Sequence, residues 1–262
     1  MTWYLDTAAS MAVLGLAGGL GVPTLIGRIP EPASVEEEVD EADAVAPGDL
    51  TESIVPPEAA DDVVEEPKEL YVSIAAIRGL GWKCAVASAL IAGLVGARVG
   101  WSWDLLFLMY LVPVGVALAV VDWRTRLLPT WVIAPSYAAV VVLACLAALL
   151  GHDLTDLVRA GWGWVVAGGT FLLLWLVYPR GMGYGDVRLS GVLGIALGYL
   201  GWGQLLVGVY AGFLLGGIGG TLLTLLRIVD RRAYPFGPFM LLGALIGVLW
   251  GSPLADLYTG SH

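Results

Sequence analysis

After Glu69 the chain carries only seven carboxylates. Asp104, Asp153, Asp156 and Asp256 fall in loops or near the C-terminus, and Asp230 is followed by Arg231 and Arg232, which explains it as a solvated ion pair. The other two are different. Asp122 closes the apolar run "LVPVGVALAVVD", and Asp186 opens the run that follows "GMGYGD". An ionisable group at the end of a long apolar segment is costly unless it reaches water or a partner, and it marks a functional candidate. Two carboxylates held close cannot both ionise easily and share a proton. One can then take a proton from water while the other gives one to a carbonyl oxygen. Such a pair hydrolyses a peptide bond without metal or covalent intermediate. Gly181, Gly183 and Gly185 fit this use, because glycine adopts backbone angles closed to other residues and lets a substrate strand approach. The same residues also fit plain N-capping or proton and ion handling.

Both acids need apolar helices to carry them. The chain has 262 residues, of which 58% are hydrophobic, and a mean hydropathy of +0.82. A soluble domain is nearer half apolar. Runs of about 15 to 25 residues recur, long enough to cross a hydrocarbon core of roughly 30 Å as helices. The expected fold is therefore all-α, a polytopic transmembrane bundle of about eight spans. They are placed near residues 8–26, 83–100, 103–121, 130–150, 159–178, 187–201, 203–226 and 236–251. The first lacks the basic leading segment of a secretory signal, so it reads as a span with its N-terminus outside. The break near "LGWGQ" is the least marked.

With eight spans, eleven Lys and Arg fall on the cytoplasmic side and its borders, against Arg98 and Arg159 outside. That is a strong positive-inside bias. It puts both termini outside and both Asp122 and Asp186 at the cytoplasmic face of a plasma membrane. Trp82, Trp101, Trp103, Trp123, Trp131 and Trp202 lie near span ends, as an interfacial belt does. Two glycine series at helical spacing, Gly191–Gly194–Gly198–Gly201 and Gly208–Gly212–Gly216–Gly220, suit close helix approach.

The net charge of −10 belongs to one segment: fifteen of the 23 acidic residues lie between Glu31 and Glu69. That stretch is rich in Pro and Ala and buries too little apolar surface to order itself, so a disordered cytoplasmic loop is expected over residues 31–80. No basic cluster is large enough to grip nucleic acid. Cys84 and Cys145 lie in separate apolar runs and form no CxxC pair, so no metal site is expected, and none is expected of His152 or His262.

Three segments together resemble the signature blocks of the bacterial type IV prepilin peptidases. They are "ALAVVDWRTRLLPTWV" (Ala117–Val132), "GMGYGDVRL" (Gly181–Leu189) and "YPFGPFMLLGAL" (Tyr234–Leu245), in the family's order. The resemblance implies an intramembrane aspartic endopeptidase with Asp122 and Asp186 as its catalytic pair. It implies loop or substrate support from Pro129, Pro235, Gly237 and Pro238 beside the three glycines of the GxGD block. It also implies substrates: prepilins or pilin-like proteins whose short basic leader is cut off at the cytoplasmic face. Many members bind zinc through two CxxC pairs and methylate the new pilin end; here the corresponding region is the cysteine-free acidic loop, so neither zinc nor another cofactor is expected, and methyl transfer is in doubt. The loop is an expected attractor for basic leaders. The divisions read as a first transmembrane helix (1–30), the acidic loop (31–80), a peptidase core (81–252) and a tail (253–262). A proton-coupled transporter would need polar groups near mid-membrane, which the spans lack almost entirely. A non-catalytic pilus-assembly scaffold would make both acids replaceable. Oligomeric state is not legible.

Overall fold

The computed structural model describes residues 3–31, 69–179, 182–226 and 235–259. Most of the acidic loop, Gly181, Asp230 with its two arginines, and the last three residues lie outside these. The described chain is all helical. In order it forms α1 (Leu5–Leu20), α2 (Val22–Ile26), α3 (Tyr71–Ala75), α4 (Leu80–Val99) and α5 (Leu105–Thr125). Then follow α6 (Thr130–Gly151), α7 (Thr155–Val177), α8 (Tyr184–Leu200), α9 (Trp202–Leu225) and α10 (Gly237–Thr259).

Among the described residues six helices are long and apolar enough to cross a membrane: α4, α5, α6, α7, α9 and α10. The other two of the eight spans are shorter for identifiable reasons. The first is broken at Gly21, so α1 and α2 together cover the stretch expected as one helix. The other, α8, has 17 residues, about 25 Å at helical rise. It does not face lipid, since thirteen of its residues are buried. It runs through the middle of the bundle against α6, α7, α9 and α10.

Glycines set the closest helix pairs. In α7 against α8, a Cβ on Gly163 would lie 2.8 Å from the Gly198 Cα and would collide with the Gly194 carbonyl. In α9 against α10, a Cβ on Gly243 would lie 2.5 Å from the Gly212 Cα. In α1 against α4, one on Gly19 would lie 2.6 Å from the Ala85 Cα. Backbones this close gain dispersion contacts where lipid supplies no hydrophobic drive between helices. Both expected glycine series are used this way, with Gly194 and Gly198 on α7, and Gly208 and Gly212 on α10. Gly201 makes the break between α8 and α9 at φ 154°, ψ 164°, a conformation open to glycine alone.

The end of the expected acidic loop is folded. The Glu31 carboxylate accepts the Tyr71 and Val72 N–H groups, both at 3.0 Å, and so covers the first free donors of α3. Tyr71 and Ile74 are buried, and α3 packs on α2 and α5. Trp82, Trp101 and Trp131 are well exposed at helix ends, as a belt requires.

Candidate active site

Asp122 sits in the last turn of α5, which runs four residues past the apolar stretch to Thr125. The helix stops at Arg126, a non-glycine residue with φ 56°, whose N–H closes on the Asp122 carbonyl at 2.8 Å. Thr125 Oγ1 donates to the Val121 carbonyl at 2.9 Å and accepts the Leu127 N–H at 3.3 Å. The chain then turns through Leu127, Leu128 and the buried Pro129, whose fixed φ leads into α6. Local chemistry thus ends one helix and starts the next within eight residues of Asp122.

Asp186 is the third residue of α8. Its Oδ2 accepts the N–H of Gly183, the residue before the helix, at 3.2 Å. A third-position acid reaching back to the cap is the rear half of a capping box. Gly185 is needed for proximity: a Cβ there would lie 2.7 Å from the Leu128 Cβ. The start of α8 is thereby pressed onto the turn that follows Asp122.

The third part comes from α10. Its first residue, Gly237, donates its N–H to Asp122 Oδ2 at 2.9 Å. A Cβ on Gly237 would lie 2.8 Å from the same oxygen and 3.4 Å from Leu128 Cδ2. Each carboxylate therefore rests at a helix N-terminus, Asp122 at that of α10 and Asp186 at that of α8. Both ends present free N–H groups and partial positive charge. Leu128 fills the space between the two helix ends.

Asp122 and Asp186 are 4% and 7% exposed, and Leu128 lies against both Gly185, next to Asp186, and Gly237, which donates to Asp122, so the two acids share one end of the bundle. Asp104, by contrast, is at the opposite end of α5. Of the remaining expected site residues, Gly183 and Gly237 donate to the two acids, Gly185 lies against Leu128, and Pro129 ends the turn before α6. Pro235 is buried just before α10, and Pro238 lines an apolar cavity of about 330 Å³ between α4, α5, α8 and α10. Gly181 lies outside the described residues. Leu128 and Thr125 were missed by sequence reasoning; the only signal was their place in the turn between Asp122 and Pro129.

The two cysteines sit apart, Cys84 on α4 and Cys145 on α6, and among the described residues no three His, Cys, Asp or Glu side chains converge.

A membrane-embedded helical bundle with two buried acids at one end is the class these features define. Residues 109–221 match the type IV leader peptidase family. The chain is similar to proteins named prepilin leader peptidase/N-methyltransferase. The one from Pseudomonas aeruginosa is 29% identical over 181 residues, covering 66% of this chain and 59% of the relative. That from Aeromonas salmonicida is 31% identical over 180 residues, covering 65% and 58%. That from Bacillus subtilis is 26% identical over 175 residues, covering 66% and 67%. The chain thus spans just under three fifths of the first two relatives. No solved structure matches it significantly.

Proposed function

We propose that the chain is an intramembrane aspartic endopeptidase that removes the leader from prepilins or pilin-like proteins, with Asp122 and Asp186 as its catalytic pair. One observation carries the reading: two buried carboxylates from different helices lie at one end of the bundle, each accepting a backbone N–H. The family match and the names of the relatives support the substrate class.

In this reading one carboxylate is ionised and the other protonated. The ionised one takes a proton from a water molecule as its oxygen bonds to the scissile carbonyl carbon. The protonated one gives its proton to the carbonyl oxygen, and a tetrahedral diol forms. The diol collapses as the other carboxylate takes a proton from one of its hydroxyls, the carbon–nitrogen bond breaks, and the amine leaves with a proton from the acid that first accepted one. Backbone N–H groups at the two helix ends keep one oxygen of each carboxylate fixed, so little reorganisation is needed during the step. The nearly closed site needs α8 or the GxGD segment to part before an unwound substrate strand enters.

The charge distribution supports a cytoplasmic site with both termini outside, and residues 81–252 as the peptidase core. Methyl transfer is not part of the proposal, since the cysteine pairs associated with it are missing from the sequence. The test is co-expression with candidate prepilins and mass determination of the products. Cleavage just before the substrate's hydrophobic helix, lost in Asp122→Asn and Asp186→Asn, is expected. Intact precursor with the unaltered enzyme, across all pilin-like partners of its host, would refute the reading.

A further inference from the structure

Arg188 stands on α8 two residues beyond Asp186. A cation there is electrostatically out of place, because a helix N-terminus favours anions. Among the described residues its partners are a hydroxyl and a ring, not a carboxylate. Its Nη1 donates to Thr130 Oγ1. Its guanidinium carbon lies 4.6 Å from the centre of the Tyr184 ring, which packs on Trp175 of α7 at 5.1 Å. The backbone of Arg188 is held too, since Tyr137 Oη donates to its carbonyl at 2.8 Å. Gly191 leaves the room for this, as a Cβ there would collide with that hydroxyl.

Thr130 and Tyr137 both belong to α6, and Thr130 follows directly on the Leu128–Pro129 turn. The start of α8 is therefore tied to the start of α6 by Arg188 on one side and pressed onto Leu128 by Gly185 on the other. We propose that Arg188 is a positioning residue: through Thr130 it fixes the first turn of α8 and so sets how far the Asp186 carboxylate stands from Asp122. This rests on the reading of the two acids as the cleaving pair. Arginine suits the task because its planar fork donates to a hydroxyl while lying over a ring; lysine offers only a point charge. Placement matters steeply, since a shift of about 1 Å at a reacting centre can cost roughly 100-fold in rate.

The test uses the full chain in lipid nanodiscs. Thr130→Val removes the acceptor at nearly constant shape, and Thr130→Ser restores it. The first readout is steady-state cleavage. Thr130→Val is expected to lower kcat by roughly 10- to 100-fold, with KM little changed because the loss lies in the chemical step. Thr130→Ser is expected to recover most of it, and Arg188→Lys to fall between. The second readout needs no activity. Asp122→Cys with Asp186→Cys, in a chain whose Cys84 and Cys145 are alanine, is cross-linked by bis-maleimides of graded span. Thr130→Val is expected to shift the preferred span, and Thr130→Ser to shift it back. Either readout unmoved by Thr130→Val, or a loss that Thr130→Ser leaves uncorrected, overturns the proposal. If the unaltered enzyme cleaves no prepilin, the peptidase reading fails, and the cross-linking span alone then decides whether Arg188 sets the separation.

Discussion

Gly237 donates its N–H to Asp122 Oδ2 at 2.9 Å, tying the first residue of α10 to the last turn of α5 across 115 residues of chain. The contact leaves no room for a side chain, because a Cβ on Gly237 would stand 2.8 Å from that oxygen. Gly237→Ala is expected to displace the carboxylate and to lower kcat by roughly 10- to 100-fold, as small misplacements at a reacting centre do. Cleavage kinetics of a folded variant, checked by thermal denaturation, would show it. Parental kcat in Gly237→Ala would mean that this bond does not position the acid.

A pair that works with one proton between two carboxylates must lose activity on both sides of an optimum. At low pH both are protonated and no base remains; at high pH both are ionised and no acid remains. The pH profile of kcat/KM is therefore expected to be bell-shaped, with two apparent constants that belong to the pair rather than to either residue. A single-limbed profile would argue for one catalytic acid.

The glycine contacts separate two kinds of substitution on one helix. A Cβ on Gly163 would lie 2.8 Å from the Gly198 Cα, whereas one on Gly161 would meet nothing within 4 Å. Gly163→Ala is expected to destabilise the bundle by about 1–3 kcal/mol through overpacking. Gly161→Ala is expected to leave it unchanged or slightly firmer, since alanine is the better helix former. Thermal melting in detergent compares the two directly.

Just ahead of α7, the Asp153 carboxylate accepts the Thr155 N–H at 2.9 Å and its hydroxyl at 2.5 Å. These two bonds hold its pKa below the ordinary carboxylate value. A depressed pKa stabilises the fold above the unfolded value, about 3.9 for aspartate, and that stability is lost as pH falls through the lower folded value. Asp153→Ala is therefore expected to melt earlier than the parent at pH 7, with the difference fading in strongly acidic buffer. A difference that persists unchanged at low pH would contradict the assignment.

Much of this was legible in sequence, and what was not has physical causes. Hydropathy located the six long apolar helices and the two shorter stretches between and before them, and the positive-inside pattern supported the weak break that Gly201 makes. Span ends were less visible. The last turn of α5 is the polar "DWRT", so Asp122 looked like a terminus when it lies inside the helix. Glu31 and Tyr71 sit at opposite ends of the acidic stretch, and their hydrogen bond depends on a closure that composition does not record. The same holds at the site. Asp186 and its Gly183 cap are three residues apart and readable together. Gly237 reaches Asp122 only through tertiary packing, so the resemblance named it while its spacing along the chain did not, and Leu128 was marked only by its place in the turn after Asp122.

The proposed cleavage requires Asp122 and Asp186 to act as one unit. The direct measurement is the rate of leader removal from a cognate prepilin by Asp122→Asn, Asp186→Asn and the double variant, each reconstituted at equal folded concentration. A single unit requires each single variant to fall to background and the double to fall no further. Undiminished processing by either single variant, or losses that simply multiply in the double, would contradict it.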